Sequence, residues 1–356
     1  MKKILILFVC ICAIISSCGN KKEQDIEKEQ ASGVVLVQNQ SYYEIVFSNG
    51  ESLYFTSFDN EKGIKGIATE EDSVEVATSF GTGFFVSADG EIATNNHVVA
   101  NVVADRDVNR SMRKIIDALK EVMAVMYNRY DARLDTLKAL YDYANYSDEV
   151  SMERFLQIRD MRDAVEKERD EYAQYYNQLD DINPSDSEIK YHNRVSIAYN
   201  DTYVTTTSDF VSCVVTKTDP EHDLAIIQLK DKKTPEGKYI FKVADDDPLE
   251  KYSFMDNITK RVSDDKNSKV YMTSFNLGPT LALTKEGIKS QFNSGTISQR
   301  TADRLMYSVP TLPGSSGSPV VNMKGELVAV NYAGLSGTQN FNYGIRVKHL
   351  RNLMEK

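Results

Sequence analysis

Pro313-Gly314-Ser315-Ser316-Gly317-Ser318-Pro319 is the stretch of this sequence that decides the fold. It places a serine among glycines, in a run that favours neither a helix nor a strand. Glycine lets the backbone turn sharply, so two amide N–H groups can point at one spot beside a serine hydroxyl. The segment therefore predicts a nucleophile loop. Taken by itself, it also fits an ordinary Gly/Ser surface turn.

Two segments upstream favour the nucleophile loop. Residues 81–99 predict a strand, an Asp-Gly hairpin turn and a second strand that leads to His97. Residues 219–229 place Asp223 immediately before an apolar, β-branched run that predicts another strand. The order His97, Asp223, Ser316 is that of chymotrypsin-like hydrolases and differs from that of subtilisins and α/β-hydrolases.

The motifs in these segments resemble those of bacterial HtrA/Deg-type trypsin-like serine proteases. The matching residues cover about 78–100 and 203–350. The resemblance implies a mainly β protein, with a chymotrypsin-like double antiparallel β-barrel. It rests on Gly81-Thr82-Gly83-Phe84, Thr94-Asn95-Asn96-His97-Val98, Asp223-Leu224-Ala225-Ile226, the loop quoted above and the strand-like run from Gly325 to Asn331.

The resemblance also implies a role for each site residue. Ser316 would be the nucleophile and His97 the general base, because a serine hydroxyl needs a base at neutral pH. Asp223 would orient the imidazole and stabilise its cation. The N–H groups of Gly314 and Ser316 would form the oxyanion hole. The expected reaction is hydrolysis of a peptide bond through an acyl-enzyme.

Each role has a competing residue. Ser315 and Ser318 flank the proposed nucleophile, but the G-x-S-G pattern favours the serine between them. Asp219 competes with Asp223, although its position before a proline is typical of a turn. His222 would face the surface, on the opposite side of the strand from its neighbour.

Two departures from the family pattern leave an inactive or activation-dependent protein open. Ser318 stands where the family carries a second glycine, and its side chain could narrow the loop or shift the oxyanion geometry. A long insertion also follows His97 directly and could hold the site closed until a partner binds.

The substrate pocket is predicted to include Pro310, Asn331, Tyr332 and Ala333. Pro310 stands six residues before the proposed nucleophile, where a pocket for Lys or Arg would need an aspartate. We therefore expect a preference for small or medium apolar residues. The sequence carries no H-E-x-x-H motif, cysteine–histidine cluster or phosphate-binding glycine loop, so no metal or other cofactor is expected.

Residues 1–18 are predicted to be a targeting segment, with two lysines, an apolar stretch and a final Ser-Ser-Cys. They resemble a bacterial lipoprotein signal peptide with Cys18 as the lipidated residue; an ordinary secretory signal is the alternative. Residues 19–32 would be a flexible tether. The expected location is the cell envelope, lipid-anchored to a bacterial membrane and periplasmic or surface-facing.

Composition limits the partners. The formal net charge is -10 and there is no basic stripe, which makes nucleic acid an improbable partner.

If the segment up to Cys18 is processed as predicted, Cys213 is the remaining thiol and no intramolecular disulfide can form. Its apolar surroundings predict a buried side chain.

The domain prediction has three parts after residue 32. Residues 33–78 would form a small N-terminal β unit with turns at 38–41 and 48–50, and 79–104 with 185–356 would form the protease domain. Residues 105–184 would form a helical hairpin, because apolar residues recur there at three- and four-residue spacing. Ser147 is the predicted N-cap of the second helix. The chain ends about 40 residues after Ser316, which leaves no room for the PDZ domain of many relatives.

The inserted hairpin is rich in tyrosine, which fits either the edge of a coiled-coil seam or a contact with a homo-oligomer or partner protein. We predict an envelope-anchored serine endopeptidase that acts on proteins or peptides in quality control or regulated proteolysis. The alternative from another class is a non-catalytic scaffold that binds partners through residues 105–182. An esterase using the same triad is a third possibility.

Overall fold

The computed structural model describes residues 21–206, 209–249, 268–334 and 341–356, and side chains are described for all of these except 333 and 334. The predicted signal segment and Cys18 lie outside the described residues. The chain divides into two units. One comprises Met1–Ser41, Thr78–Val102 and Asn193–Lys356, and the other Tyr42–Ala77 and Val103–His192.

The first unit begins with an antiparallel barrel whose strand order is β1-β4-β5-β8-β7-β6, closed by pairing of β6 with β1. Its interior is apolar because β-branched side chains fill the inward positions. The strands are β1 (Val34–Val46), β4 (Ala77–Phe85), β5 (Glu91–Thr94), β6 (Glu188–Tyr199), β7 (Val211–Asp219) and β8 (Leu224–Leu229).

A second closed barrel in the same unit has the order β12-β13-β16-β15-β14-β9. Its strands are β9 (Lys269–Ser274), β12 (Gln291–Arg300), β13 (Arg304–Tyr307), β14 (Pro319–Asn322), β15 (Leu327–Gly334) and β16 (Asn342–Arg346). Before β12 come a short helix α5 (Pro279–Ala282) and a small hairpin of β10 (Leu283–Thr284) and β11 (Gly287–Ile288). A terminal helix, α6 (Val347–Glu355), follows β16.

The core of this unit continues from one barrel to the other. Leu36 and Phe84 of the first barrel share a buried cluster with Val321 and Val330 of the second, and α6 adds Leu353. Cys213 in β7 is buried as predicted, and burial raises the pKa of its thiol to about 12. The predicted double antiparallel barrel with a helical insertion is confirmed.

The prediction of a flexible tether is wrong for residues 21–32. They contain helix α1 (Glu23–Gln30), followed by a 3-10 turn. Ile26 is fully buried in the core shared by the two barrels, and the Gln30 amide donates to the carbonyl of Gly325 at 2.8 Å. One buried apolar residue and a few hydrogen bonds order a segment that is hydrophilic in composition.

The boundaries of the predicted N-terminal β unit are also wrong. Strand β1 is continuous through the turn predicted at 38–41, and its residues up to Ser41 belong to the unit of the barrels. Two polar side chains inside this strand have partners on β6: Gln38 accepts a hydrogen bond from Ser196 at 3.2 Å, and Asn39 from Asn193 at 3.2 Å. Because these groups are paired across strands, they do not make a turn.

The second unit combines the end of β1 with strands β2 (Ser52–Asp59) and β3 (Gly63–Ala68) and with two long helices. Helix α3 (Asp105–Tyr146) has 42 residues and α4 (Met152–Asp180) has 29, so they are about 63 Å and 44 Å long. Apolar residues at the base of α3 pack on this sheet in a buried cluster of Tyr43, Ile45, Phe55, Ile64, Val108, Met112 and Ile116.

The two helices lie antiparallel. The rings of Tyr141 and Phe155 pack in a tilted arrangement near the turn, with centroids 5.0 Å apart, and Lys120 pairs with Asp180 at the other end. The N-cap of α4 is Ser151, whose hydroxyl accepts from the N–H of Arg154, and not Ser147 as predicted. The helices therefore form the predicted hairpin with a longer turn.

Within the described residues, no helix has the length and apolar character needed to span a lipid bilayer.

A short helix that carries His97 connects β5 to the rest of the first barrel: α2 (Asn96–Val99).

Candidate active site

The pairing of β5 with β8 brings His97 and Asp223 together. Thr94 lies opposite Ala225 in this ladder, so the residues after β5 adjoin the residues before β8. The Oδ2 atom of Asp223 lies 2.7 Å from Nδ1 of His97, and its Oδ1 accepts the backbone N–H of His97 at 2.9 Å. Both carboxylate oxygens therefore hold this histidine. A proton fixed on Nδ1 leaves Nε2 free to act as a base.

The backbone around Asp223 is fixed by two further bonds. Its carbonyl accepts from the side-chain amide of Asn95 at 2.8 Å and from the N–H of Asn96 at 3.2 Å. Asp223 adopts a positive φ of 53°, a conformation that aspartate tolerates better than most residues. The turn thus presents the carboxylate to the helix that carries His97.

The loop of residues 313–319, which we call the serine loop, lies against the strands that lead to His97. The N–H of Thr82 in β4 donates to the carbonyl of Ser316 at 2.8 Å. Gly81 has no room for a side chain: a Cβ there would lie 2.6 Å from Val98 and 3.3 Å from the Ser316 carbonyl oxygen. The backbone of Ser316 and the residue after His97 therefore both adjoin Gly81. His97 is exposed and Ser316 is half-buried.

Two glycines allow the loop its shape. Gly314 has a φ of 97° and Gly317 a φ of 86°, both in the left-handed region that favours glycine. A Cβ at Gly317 would lie 2.1 Å from the carbonyl oxygen of Thr82 and 2.5 Å from the Thr94 hydroxyl. The loop can approach β4 and β5 this closely only without side chains at these positions.

Thr82 is a site residue that sequence reasoning did not single out. It is fully buried, its hydroxyl donates to the Gly314 carbonyl at 2.8 Å, and it accepts the N–H of Phe275 at 3.0 Å. It therefore ties β4 to the serine loop and to the end of β9. The signal that could have indicated it is a threonine between two glycines, directly before the apolar end of the strand.

The backbone N–H groups of the loop fall into two sets. Those of Ser315, Gly317 and Ser318 donate to backbone carbonyls. Those of Gly314 and Ser316 have no acceptor among the residues that the structure describes. These two N–H groups are the predicted oxyanion donors, and they remain available to a ligand.

The rival serines are not available as nucleophiles. Ser315 is 3% exposed, and its hydroxyl oxygen accepts from the Asn331 amide at 3.3 Å. Ser318 is fully buried, and its hydroxyl donates to the Ser315 carbonyl at 2.7 Å. Ser316 is the one serine of the loop that is partly open to solvent, in agreement with the sequence pattern.

The predicted pocket residues have different surroundings. Pro310 is exposed and Tyr332 half-buried, as expected for residues that border a cleft. Asn331 is only 1% exposed, and its amide donates to the Ser315 carbonyl at 2.9 Å. Its side chain supports the serine loop, so its place in the substrate pocket stays a prediction. Ala333 lies in β15, with its side chain outside the described set.

Tyr332 is close to charged groups of the site. Burial raises the pKa of its hydroxyl, the Arg304 charge opposes the rise, and the charges of Tyr343 and Asp223 add to it. The Arg304 guanidinium lies 5.3 Å from the centre of the Tyr332 ring. This cation–π contact fixes the ring near the carboxylate that binds His97.

His222 is not the surface residue predicted. Its ring stacks on that of His349, with centroids 3.8 Å apart, and its Nδ1 lies 2.9 Å from Asp219. Burial opposes ionisation of Asp219, but its hydrogen bonds with His222 outweigh burial and lower its pKa. The turn before β8 packs on α6 through this pair of imidazoles, so the residue before Asp223 is partly enclosed.

His222, Asp303 and His349 have potential ligand atoms within 4.8 Å of one another, so these residues could be considered for a metal. Their arrangement does not suit one. The planes of the stacked imidazoles are inclined by only 21°, so their nitrogen lone pairs lie in two nearly parallel planes. Tetrahedral coordination needs lone pairs that converge on one point.

Comparison with known proteins shows what part of the chain is similar to. Residues 182–330 match the family model of the trypsin-like peptidase domain. The match contains Asp223 and Ser316, whereas His97 precedes it and is separated from it by the helices. Residues 182–330 are thus similar to a trypsin-like peptidase domain, in agreement with the resemblance of the sequence motifs.

Among solved structures, the chain is similar to the serine endoprotease from Yersinia pestis, with a TM-score of 0.43 and 11% identity over 95% of this chain and 66% of that one. It is also similar to the HtrA-type protease AlgW with tripeptide, with a TM-score of 0.41 and 12% identity over 94% and 63%. The chain thus spans about two thirds of the length of these proteins. None of the curated proteins compared with the chain matches it.

Proposed function

We propose that the protein is a serine endopeptidase of the bacterial cell envelope that uses His97, Asp223 and Ser316 as a catalytic triad. One observation carries the proposal: the two oxygens of Asp223 bind the backbone N–H and Nδ1 of His97. A carboxylate on Nδ1 orients an imidazole whose Nε2 would accept the hydroxyl proton of Ser316 and so activate this serine.

The reaction would proceed by acyl transfer. The Ser316 hydroxyl attacks the carbonyl carbon of a peptide bond while His97 takes the hydroxyl proton on Nε2. The N–H groups of Gly314 and Ser316 stabilise the negative oxygen of the tetrahedral intermediate. His97 then gives the proton to the departing amine. A water molecule, deprotonated by the same imidazole, attacks the acyl-enzyme and releases the second product.

Labelling with a fluorophosphonate probe tests the triad. The wild-type protein should react at Ser316, and Ser316→Ala and His97→Ala should not. Ser298→Ala, which removes an exposed serine hydroxyl of β12, is the matched control and should react like the wild type. Labelling that persists in Ser316→Ala would rule out this nucleophile.

Substrate class is tested with the same proteins. Casein and other extended polypeptides should be cleaved in preference to short acyl esters, since the proposal is an endopeptidase. Hydrolysis of esters alone would indicate an esterase. A peptide library should show cleavage after small or medium apolar residues, because no acidic side chain is predicted where a basic residue would bind.

Envelope anchoring rests on the sequence of residues 1–18 and is tested separately. In a bacterial host supplied with a radioactive fatty acid, the full chain should incorporate the label and partition into detergent. Cys18→Ser should lose both properties. Secretion of an unlabelled wild-type protein would favour the ordinary secretory signal.

The scaffold alternative has its own supporting observation. Tyr143 and Tyr146 at the end of α3 are 59% and 87% exposed, as is common for aromatic residues at interfaces. Absence of probe labelling in the wild-type protein, together with partner capture that is lost in Tyr146→Ser, would favour this function over catalysis.

A further inference from the structure

The carbonyl oxygen of Ser315, in the serine loop, has several hydrogen-bond donors around it. It accepts three hydrogen bonds: from the side-chain amide of Asn331 at 2.9 Å, from the hydroxyl of Ser318 at 2.7 Å and from the N–H of Ser318 at 3.2 Å. Asn331 and Ser318 are 1% and 0% exposed. Water is therefore a poor substitute for any of these bonds.

This carbonyl belongs to the same peptide unit as the N–H of Ser316. In a trans peptide the C=O and N–H bonds point in opposite directions. The donors that bind the Ser315 oxygen therefore make the Ser316 N–H point in the opposite direction, away from Asn331 and Ser318. That N–H has no acceptor among the described residues. The direction of one predicted oxyanion donor is thus fixed by contacts on the back of its own peptide.

The direction of the Asn331 amide is fixed in turn. Its Oδ1 accepts the hydroxyl hydrogen bond of Tyr307 at 2.8 Å, and Tyr307 is fully buried. The oxygen of the amide is therefore occupied on the barrel side, and its nitrogen faces Ser315. This orientation makes Asn331 a donor to the loop at all times.

We propose that Asn331 and Ser318 are positioning residues that set the Ser316 N–H for the oxyanion before substrate binds; this rests on the proposed function. Rotation of the peptide would leave the Asn331 and Ser318 donors unpaired in a buried site. The hydroxyl of Ser318 thus adds a donor at the position where the resembling family carries a glycine. It supports the oxyanion geometry, and it is not an impairment.

The energetic consequence appears in the transition state. Preorganised donors act on charge that develops during the reaction and have little effect on the ground-state complex. We call the hydrogen bonds from Asn331 and Ser318 to the Ser315 carbonyl the clamp. Loss of the clamp should therefore lower kcat and leave KM almost unchanged. A residue that merely stabilises the fold would change the melting temperature without this division between kcat and KM.

The experiment compares Ser318→Ala, Asn331→Leu and the double variant with the wild type, using peptide substrates. We expect kcat to fall about 10-fold in each single variant and about 100-fold in the double variant, with KM within about twofold. A peptide aldehyde, whose adduct with Ser316 carries the negative oxygen, should bind more weakly by a similar factor. The corresponding peptide alcohol should bind equally to all forms.

The matched control is Ser196→Ala. Ser196 is 5% exposed, and its hydroxyl donates to Gln38 in the first barrel, so its loss removes a buried hydrogen bond of the same kind. It should lower the melting temperature comparably and keep kcat within about twofold. A kcat of Ser318→Ala that matches this control would overturn the positioning role.

Failure of the proposed function is distinguishable from failure of this inference. A wild type that cleaves peptides, with variants of unchanged kcat, refutes the clamp alone. A wild type that neither cleaves peptides nor reacts with fluorophosphonate refutes the proposed function. Crystal structures of the wild type and the double variant test the clamp even if the wild type is inactive. An unchanged Ser315–Ser316 peptide in the double variant contradicts it, and a rotated peptide supports it.

Discussion

At the scale of single residues, Asp223 does more than supply a charge. Its two oxygens bind the side chain and the backbone of His97, and its carbonyl holds the two asparagines before that histidine. The carboxylate therefore sets both the tautomer of the imidazole and the path of the chain that carries it. Chemistry and local structure depend on the same residue.

Asp223→Asn should lower kcat by about 10³- to 10⁴-fold, because the amide can favour the wrong imidazole tautomer while the fold is retained. Steady-state kinetics with a peptide substrate measure this. Asp219→Asn, which alters the carboxylate beside His222, should change kcat far less. Similar losses in both variants would contradict the assignment of Asp223.

His349 makes stability depend on pH. Burial, aided by the nearby His222, lowers the pKa of its imidazole below the usual 6.5. The unfolded chain therefore binds the proton first as the pH falls through about 6.5, and stability is lost from there downward. The Asp303 carboxyl, whose pKa its hydrogen bond to His349 lowers, acts only at more acidic pH.

We expect His349→Phe to lose less unfolding free energy between pH 7 and pH 5 than the wild type does. Urea unfolding at both pH values measures the difference. Phenylalanine keeps a ring against His222 and removes the titrating group, so an unchanged loss would show that another group controls this range.

At the scale of elements, helix α1 is held by tertiary contacts and not by its own sequence. Ile26 is its single fully buried apolar residue, and the remaining residues are mostly charged. A helix of eight residues is too short to persist alone in water. Its order therefore comes from the barrel surface against which it packs.

Ile26→Ala should destabilise the protein by about 2–4 kcal/mol, because it empties a filled position in the core. Glu27→Ala, on the exposed side of the same helix, should change stability by less than about 0.5 kcal/mol. Chemical denaturation measures both. Equal stability of the two variants would show that Ile26 does not hold this segment in place.

The sequence predicted some elements well and others poorly for physical reasons. The periodicity of residues 105–180 and the strand–turn–strand before His97 are local signals, and the corresponding elements form. The continuity of β1 and the order of α1 were not predicted. Gln38 and Asn39 look like turn residues until β6 supplies their partners, and Ile26 is apolar in a hydrophilic run until the core surrounds it.

At the scale of the whole molecule, the site depends on contacts between the two barrels. Thr82 of the first barrel binds the Gly314 carbonyl and the Phe275 N–H of the second. The sequence identified His97, Asp223 and Ser316 as candidates through short motifs. The hydrogen bond between Thr82 and Gly314 that supports the site could not be predicted. The two residues are 232 positions apart, and nothing in either segment identifies the other.

Thr82→Val should destabilise the protein by about 1–3 kcal/mol and lower kcat, because it leaves the Gly314 carbonyl and the Phe275 N–H without their buried partner. Thr82→Ser keeps the hydroxyl and should retain most of the activity. Calorimetry and peptide kinetics measure the two effects. Valine and serine variants of equal activity would show that the hydroxyl does not link the barrels to the site.

The ordered start of the chain has a consequence for how the enzyme would sit at a bilayer. The N–H of Lys21 donates to the carbonyl of Met323, only three positions after Cys18. Three residues reach about 11 Å at full extension. If Cys18 bears the lipid, the turn between β14 and β15 lies next to the headgroups. The two barrels would then be held close to the membrane surface.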